Sequence, residues 1–143
     1  MTPPHTMPLA GKADWTLMTA IHEALRRDLD WLLHTTASHA RAQARWSTFR
    51  SQLRFHLAAE HTAMWPQVRR RLAGDPHGQA LLDAMDDEHQ LLGPLQAMID
   101  DAFAMPADPG RLRQLLARLR TRLTARWASS CGPMAGSPAL RRI

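Results

Sequence analysis

The chain has 143 residues, enough for one domain with a sizeable core. It is rich in Leu, Ala and Arg and lacks Tyr, a composition that favours helix. Its single cysteine, Cys131, excludes an intrachain disulfide, and no run approaches the ~18 consecutive apolar residues of a membrane span. The net charge of +5 is a local property: from Arg111 onward there are eight arginines and no Asp, Glu or His, so the first 110 residues carry −3.

Residues 1–12 include three prolines and no apolar leader core, which predicts a disordered arm and, with the lone cysteine, a cytoplasmic protein. A first helix is expected from an Asp14 N-cap to about His34. Its apolar row is Met18, Ile21, Leu25, Leu29, Leu32 and Leu33, spaced three and four apart. A second begins near Ser38 or Ala40 and ends near Leu72. Its inward row reads Trp46, Phe49, Leu53, His56, Glu60, Met64 and then Gln67 or Val68, with a kink at Pro66.

The turn "AGDPHG" at 73–78 leads to a third helix over about 79–104, with a second kink at Gly93-Pro94. Asp108-Pro109 suits the N-cap and first position of a fourth helix. That helix carries Leu112, Leu115, Leu116, Leu119 and Leu123 and is expected to fade near Trp127 into an irregular basic tail over 128–143. Four amphipathic segments joined by short links predict an all-α, antiparallel up-down-up-down four-helix bundle over 13–127, with its fourth helix short or incomplete.

Polar residues interrupt three of the apolar stripes at mid-helix. His56 and Glu60, four apart, share one face of the second helix, and His89 lies in the row of the third. His22 is one position off the strict row of the first. Imidazole nitrogens with a carboxylate oxygen are a ligand set for iron, manganese or zinc, and a cation would offset the several kcal/mol that burying Glu60 costs. The plainer alternative stays open, since a histidine on an apolar face is commonly a hydrogen-bonded core residue. Glu60 pairs equally well with Arg26 or Arg54 on sequence grounds. Asp86, three before His89, is part of a solvated acidic run, a further ligand, or the carboxylate that orients that imidazole. His61, rotated about 100° off the row of Glu60, is either a rim residue or a group that supports the ligands from outside, and His34, His39 and His77 read as solvated.

The segments "IHEALRRDL" from Ile21, "FRSQLRFHLAAEHTAMWPQV" from Phe49 and "MDDEHQLLGPL" from Met85 together resemble the hemerythrin-like HHE cation-binding family, in its bacterial single-domain form. The match runs from about Ala13 to Phe103. The resemblance implies a four-helix bundle with non-haem iron held by histidines and carboxylates, and association with O2, NO or peroxide responses or iron handling. It assigns His22, His56, Glu60 and His89 as the metal ligands. It also exposes departures. Met85 stands where a further ligand is usual, and the histidine and carboxylate of the fourth helix are missing, since nothing from Arg111 to Ile143 is an ordinary hard-metal side-chain ligand.

The reading that follows is a binding domain rather than an enzyme, with a weakened mononuclear or incomplete di-iron site and a small gas or peroxide as its ligand. The alternative is a metal-free bundle acting as a structural or protein-interaction module. A fourth helix with uncovered Leu and Trp residues suggests a homodimer. The arginines at 111, 113, 118, 120, 122 and 126 raise phosphate or acidic-partner binding, but most basic helix faces are simply solvated and no base-reading motif accompanies them, so nucleic acid is not expected.

Overall fold

The computed structural model describes the backbone of residues 12–105 and 108–136, and side chains over 17–105 and 108–128. In chain order the elements are α1 (Lys12–His34), α2 (His39–Ala59), a π-helical turn (Glu60–Met64), α3 (Trp65–Arg71), α4 (Pro76–Ala104) and α5 (Pro109–Gly136). Because α2, the π-turn and α3 are continuous, the described residues form four helical rods with no strand between them.

Local chemistry sets most of the ends. The Ser38 side chain accepts from the Arg41 N–H at the start of α2. Asp75 and Asp108 do the same for the amides of Gly78 and of Gly110 and Arg111, each followed by a proline at the first helical position. The "AGDPHG" turn is therefore tighter than its composition suggests. Gly74, at φ 90°, makes the reversal, and α4 starts at Pro76 rather than near 79. Asp14 lies inside α1, which begins by Lys12, instead of capping it. Pro94 is accommodated within α4 on its exposed side. The fourth helix does not fade at Trp127 but continues to Gly136, so only residues 137–143 of the expected tail, and 1–11 of the expected arm, lie outside the described residues.

The π-turn corrects the register of the second rod. A regular helix carries the inward row from Glu60 to Met64. Here the Trp65 N–H bonds to the Glu60 carbonyl, five residues back, and one extra residue is absorbed. Trp65 and Val68 then face the core at 3% and 6% exposure, while Met64 is only partly buried. Pro66 supplies the physical reason. It lacks an N–H for the carbonyl four residues back and its ring crowds that carbonyl, so a wider turn just before it relieves both problems. The Thr62 hydroxyl donates to the Ala58 carbonyl alongside.

Two apolar clusters result. The larger joins Leu25, Leu29 and Leu32 of α1, Trp46, Phe49 and Leu53 of α2, Leu92, Leu95, Ile99 and Phe103 of α4, and the Leu row and Trp127 of α5. The smaller packs Trp65, Val68 and Leu72 against Leu82 and Met85. Polar pins fix the rods. Trp46 Nε1 donates to Asp100 Oδ1 at 2.7 Å, Arg45 pairs with Asp28 at 2.5 Å, and Arg120 pairs with Asp30. Along α1, His22 meets Trp127 and Asp30 meets Arg120, so partner numbers fall as those of α1 rise. Leu115, Leu116, Leu119 and Leu123 of α5, expected to lie uncovered, are buried within the chain and Leu112 is partly so. Among the described residues the large exposed apolar ones are Leu17, Phe55, Leu91, Met98 and Met105. No helix among the described residues is long and apolar enough to cross a membrane.

The π-turn yields a test of register. Deleting exposed Ala63 together with Pro66→Ala restores four-residue spacing from Glu60 to Trp65, and the melting temperature should stay within ~4 °C of the parent. Inserting one alanine between Met64 and Trp65 turns Trp65, Val68 and Leu72 by about 100°. At roughly 1.5–3 kcal/mol for each side chain moved out, the melt should fall by ~10 °C or more.

Candidate metal centre

A polar layer lies between the two clusters along the rods. On the second rod, His56 and Glu60 fall between Leu53 of the larger cluster and Trp65 of the smaller; on α4, His89 falls between Leu92 and Met85. From α1 comes His22, buried to 5%. The inward row of that helix is therefore 22, 25, 29, 32, with Ile21 at its edge, and His22 is not displaced from the stripe as its sequence position suggested.

Glu60 is the hub, at 2% exposure. Its Oε1 lies 3.1 Å from His56 Nε2 and 3.7 Å from His22 Nε2, and the two imidazole nitrogens are 3.0 Å apart. Ligand atoms bound to one metal at about 2.0–2.2 Å stand about 3.0–3.5 Å from one another. The 3.0 and 3.1 Å separations fall in that range and the 3.7 Å one just beyond it, so the three residues form a group able to hold a cation. The donor set fits: two imidazoles and one carboxylate are an arrangement used for ferrous iron with open positions. His22 is oriented by its ring, stacked on Trp127 at 4.8 Å and edge-on to His56 at 4.9 Å.

The other carboxylate oxygen has different company. Oε2 accepts from Arg126 Nη2 at 2.7 Å, and Arg126 Nη1 donates to the Met85 carbonyl at 3.0 Å. His89 Nε2 is 3.3 Å from the same oxygen, outside hydrogen-bonding geometry. Thus all four residues predicted as ligands converge on one layer, but they divide between the two faces of Glu60. Arg126, at 1% exposure, is the member of this layer that the sequence did not single out. The signal was present, because 126 continues the row 112, 116, 119, 123 at helical spacing. Neither Arg26 nor Arg54 partners Glu60; Arg26 pairs with Glu23 and Asp30.

Around this layer, Asp86 accepts from Arg69 at 2.8 Å and its Oδ1 stands 3.9 Å from His89 Nδ1, too far to orient that ring directly. His61 is exposed at the rim. His39 is not merely solvated, since its Nε2 bonds to the Phe103 carbonyl at 2.9 Å.

Burial alone would raise the Glu60 carboxyl, but the imidazoles of His22, His56 and His89 hold it well below the usual carboxylate range. It is therefore ionised at any ordinary pH. For His22, burial is the largest influence and lowers its pKa; Glu60 opposes this, while the charges of His56 and Arg126 add to it. A neutral imidazole can bind a cation without first losing a proton. The same shift sets a pH dependence. The unfolded chain protonates His22 near 6.5 and the folded chain does so lower, so stability is full above that pH and declines below it. In chelator, denaturant titrations at pH 7 and 5.5 should show this decline, up to about 1.4 kcal/mol per pH unit for one group, and His22→Gln should reduce it.

A family model, the hemerythrin HHE cation binding domain, matches residues 14–130, while no curated protein and no solved structure gives a match. The matched span takes in most of each of the four rods and the whole polar layer, including Arg126. With more than half of its length matched, and a His-Glu cluster of cation-binding geometry at its centre, this chain belongs to the hemerythrin HHE cation-binding family.

Proposed function

We propose that this protein is a cytoplasmic non-haem iron-binding domain that senses O2, NO or peroxide, or handles iron, and is not an enzyme. The observation that carries the metal reading is the cluster of His22 Nε2, His56 Nε2 and Glu60 Oε1, separated by 3.0, 3.1 and 3.7 Å in a buried layer. Iron is favoured by the donor set, since Glu60 brings a hard anionic oxygen and the two histidines bring imidazole nitrogens. When bound, ferrous iron supplies open coordination positions and a redox couple that respond to small oxidants.

The residues of the chain divide the remaining work. Glu60 carries the negative charge that draws a cation inward, and His56 is fixed beside it on the same helix face, at i and i+4. Trp127 covers the His22 ring and, with Leu25 and Leu53 in the core alongside, limits water at the site. The site is weaker than a complete one, because α5 sends in a cation, Arg126, where a ligand would add affinity. That ion pair also favours a second reading, a metal-free helical module in which Arg126 alone neutralises Glu60.

Anaerobic incubation with ferrous iron, desalting and counting of bound metal tests both readings. The iron-binding reading expects stoichiometric retention and an absorption change on exposure to air; absence of retained iron supports the metal-free module. Iron at about one hundred times its dissociation constant should stabilise the parent by roughly 2.7 kcal/mol, and His56→Ala should abolish that gain. Equal stability of parent and variant with and without iron would sink the metal reading.

A further inference from the structure

The two oxygens of Glu60 face two half-sites of similar donor type. On the Oε1 side are His22 and His56 nitrogens; on the Oε2 side is the His89 Nε2 at 3.3 Å. What differs is the positive charge. The Oε2 side already contains one, the Arg126 guanidinium, bonded to Oε2 at 2.7 Å and held from behind by the Met85 carbonyl at 3.0 Å. Both partners are almost wholly buried, and the grouping able to hold a cation stops at His22, His56 and Glu60 without reaching His89.

We infer that the Arg126 guanidinium takes the place of a metal ion on the Oε2 side of Glu60, so that the chain accepts one metal only, between Glu60 Oε1, His22 and His56. This rests on the metal-binding reading above. The physical case has three parts. A guanidinium donates two hydrogen bonds in a fixed plane, which suits it to a carboxylate oxygen and a carbonyl together. A divalent cation placed against His89 and Oε2 meets that fixed positive charge at close range in a poorly screened interior. Finally, a buried carboxylate needs a compensating charge even when no metal is bound, and Arg126 supplies it, so the fold stands without the metal.

The test is a cobalt(II) titration of the full chain, with bound cobalt counted after desalting and the visible absorption recorded, in the parent, Arg126→Gln and Arg126→Glu. The parent should retain one cobalt. Arg126→Glu, which sets a second carboxylate beside Oε2, should retain two, and Arg126→Gln should tighten the first cobalt by about tenfold or more. Circular dichroism with and without cobalt checks that each variant is helical; if Arg126→Glu folds only with cobalt, its count is taken after refolding with the metal. Two cobalts in the parent overturn the inference and leave the metal reading intact. One in the parent and one in Arg126→Glu, with unchanged affinity in Arg126→Gln, also overturns it. None in the parent but one or more in either variant supports Arg126 as the resident cation while overturning metal binding by the parent. None in any of the three overturns both.

Discussion

A carboxylate at 2% exposure on the second rod sets the terms for everything packed around it. Glu60 stays ionised because each face of its carboxylate is answered: imidazoles from three different rods and a guanidinium from α5. An uncompensated charge in such a layer costs several kcal/mol, a large fraction of the stability of a small domain. The four rods must therefore meet at this height, and the apolar clusters on either side fix how they do so. Arg126 gives the carboxylate a compensating charge from within the chain.

The π-turn connects that layer to the smaller cluster. Glu60 opens it, Pro66 follows it, and the extra residue lets α3 turn Trp65 and Val68 inward while Glu60 keeps its place beside His56. A backbone irregularity here resolves a conflict between two local demands. The proline needs a wider turn, and the core needs its apolar row continued on one face.

α5 shows how charge composition misleads when read without position. Its arginines suggest a basic surface, and Arg111, Arg113, Arg118 and Arg122 are indeed exposed. Yet Arg120 pairs with Asp30 of α1, and Arg126 is among the most buried side chains described. The family match extends to residue 130, past the point where the sequence pattern changes, in keeping with the buried contacts of Arg126 and Trp127.

The rods, the Asp108-Pro109 start of α5 and the face carrying His56, Glu60 and His89 were legible in the sequence, because helical periodicity and local caps act over a few residues. Asp14, by contrast, proved to lie inside α1 and Asp75 to cap α4. The sequence likewise marked the site's chemistry, since a glutamate in an apolar row demands a positive partner whatever its identity. The tertiary structure decided which partner. Three candidates near in sequence or type, Arg26, Arg54 and a metal, were visible, but Arg126 is 66 residues from Glu60 and only the docking of α5 brings it there. The structure likewise set the place of Trp65 and the division of histidines between Oε1 and Oε2. Those depend on a one-residue change in helical register and on how four rods rotate against each other, quantities that local spacing does not contain.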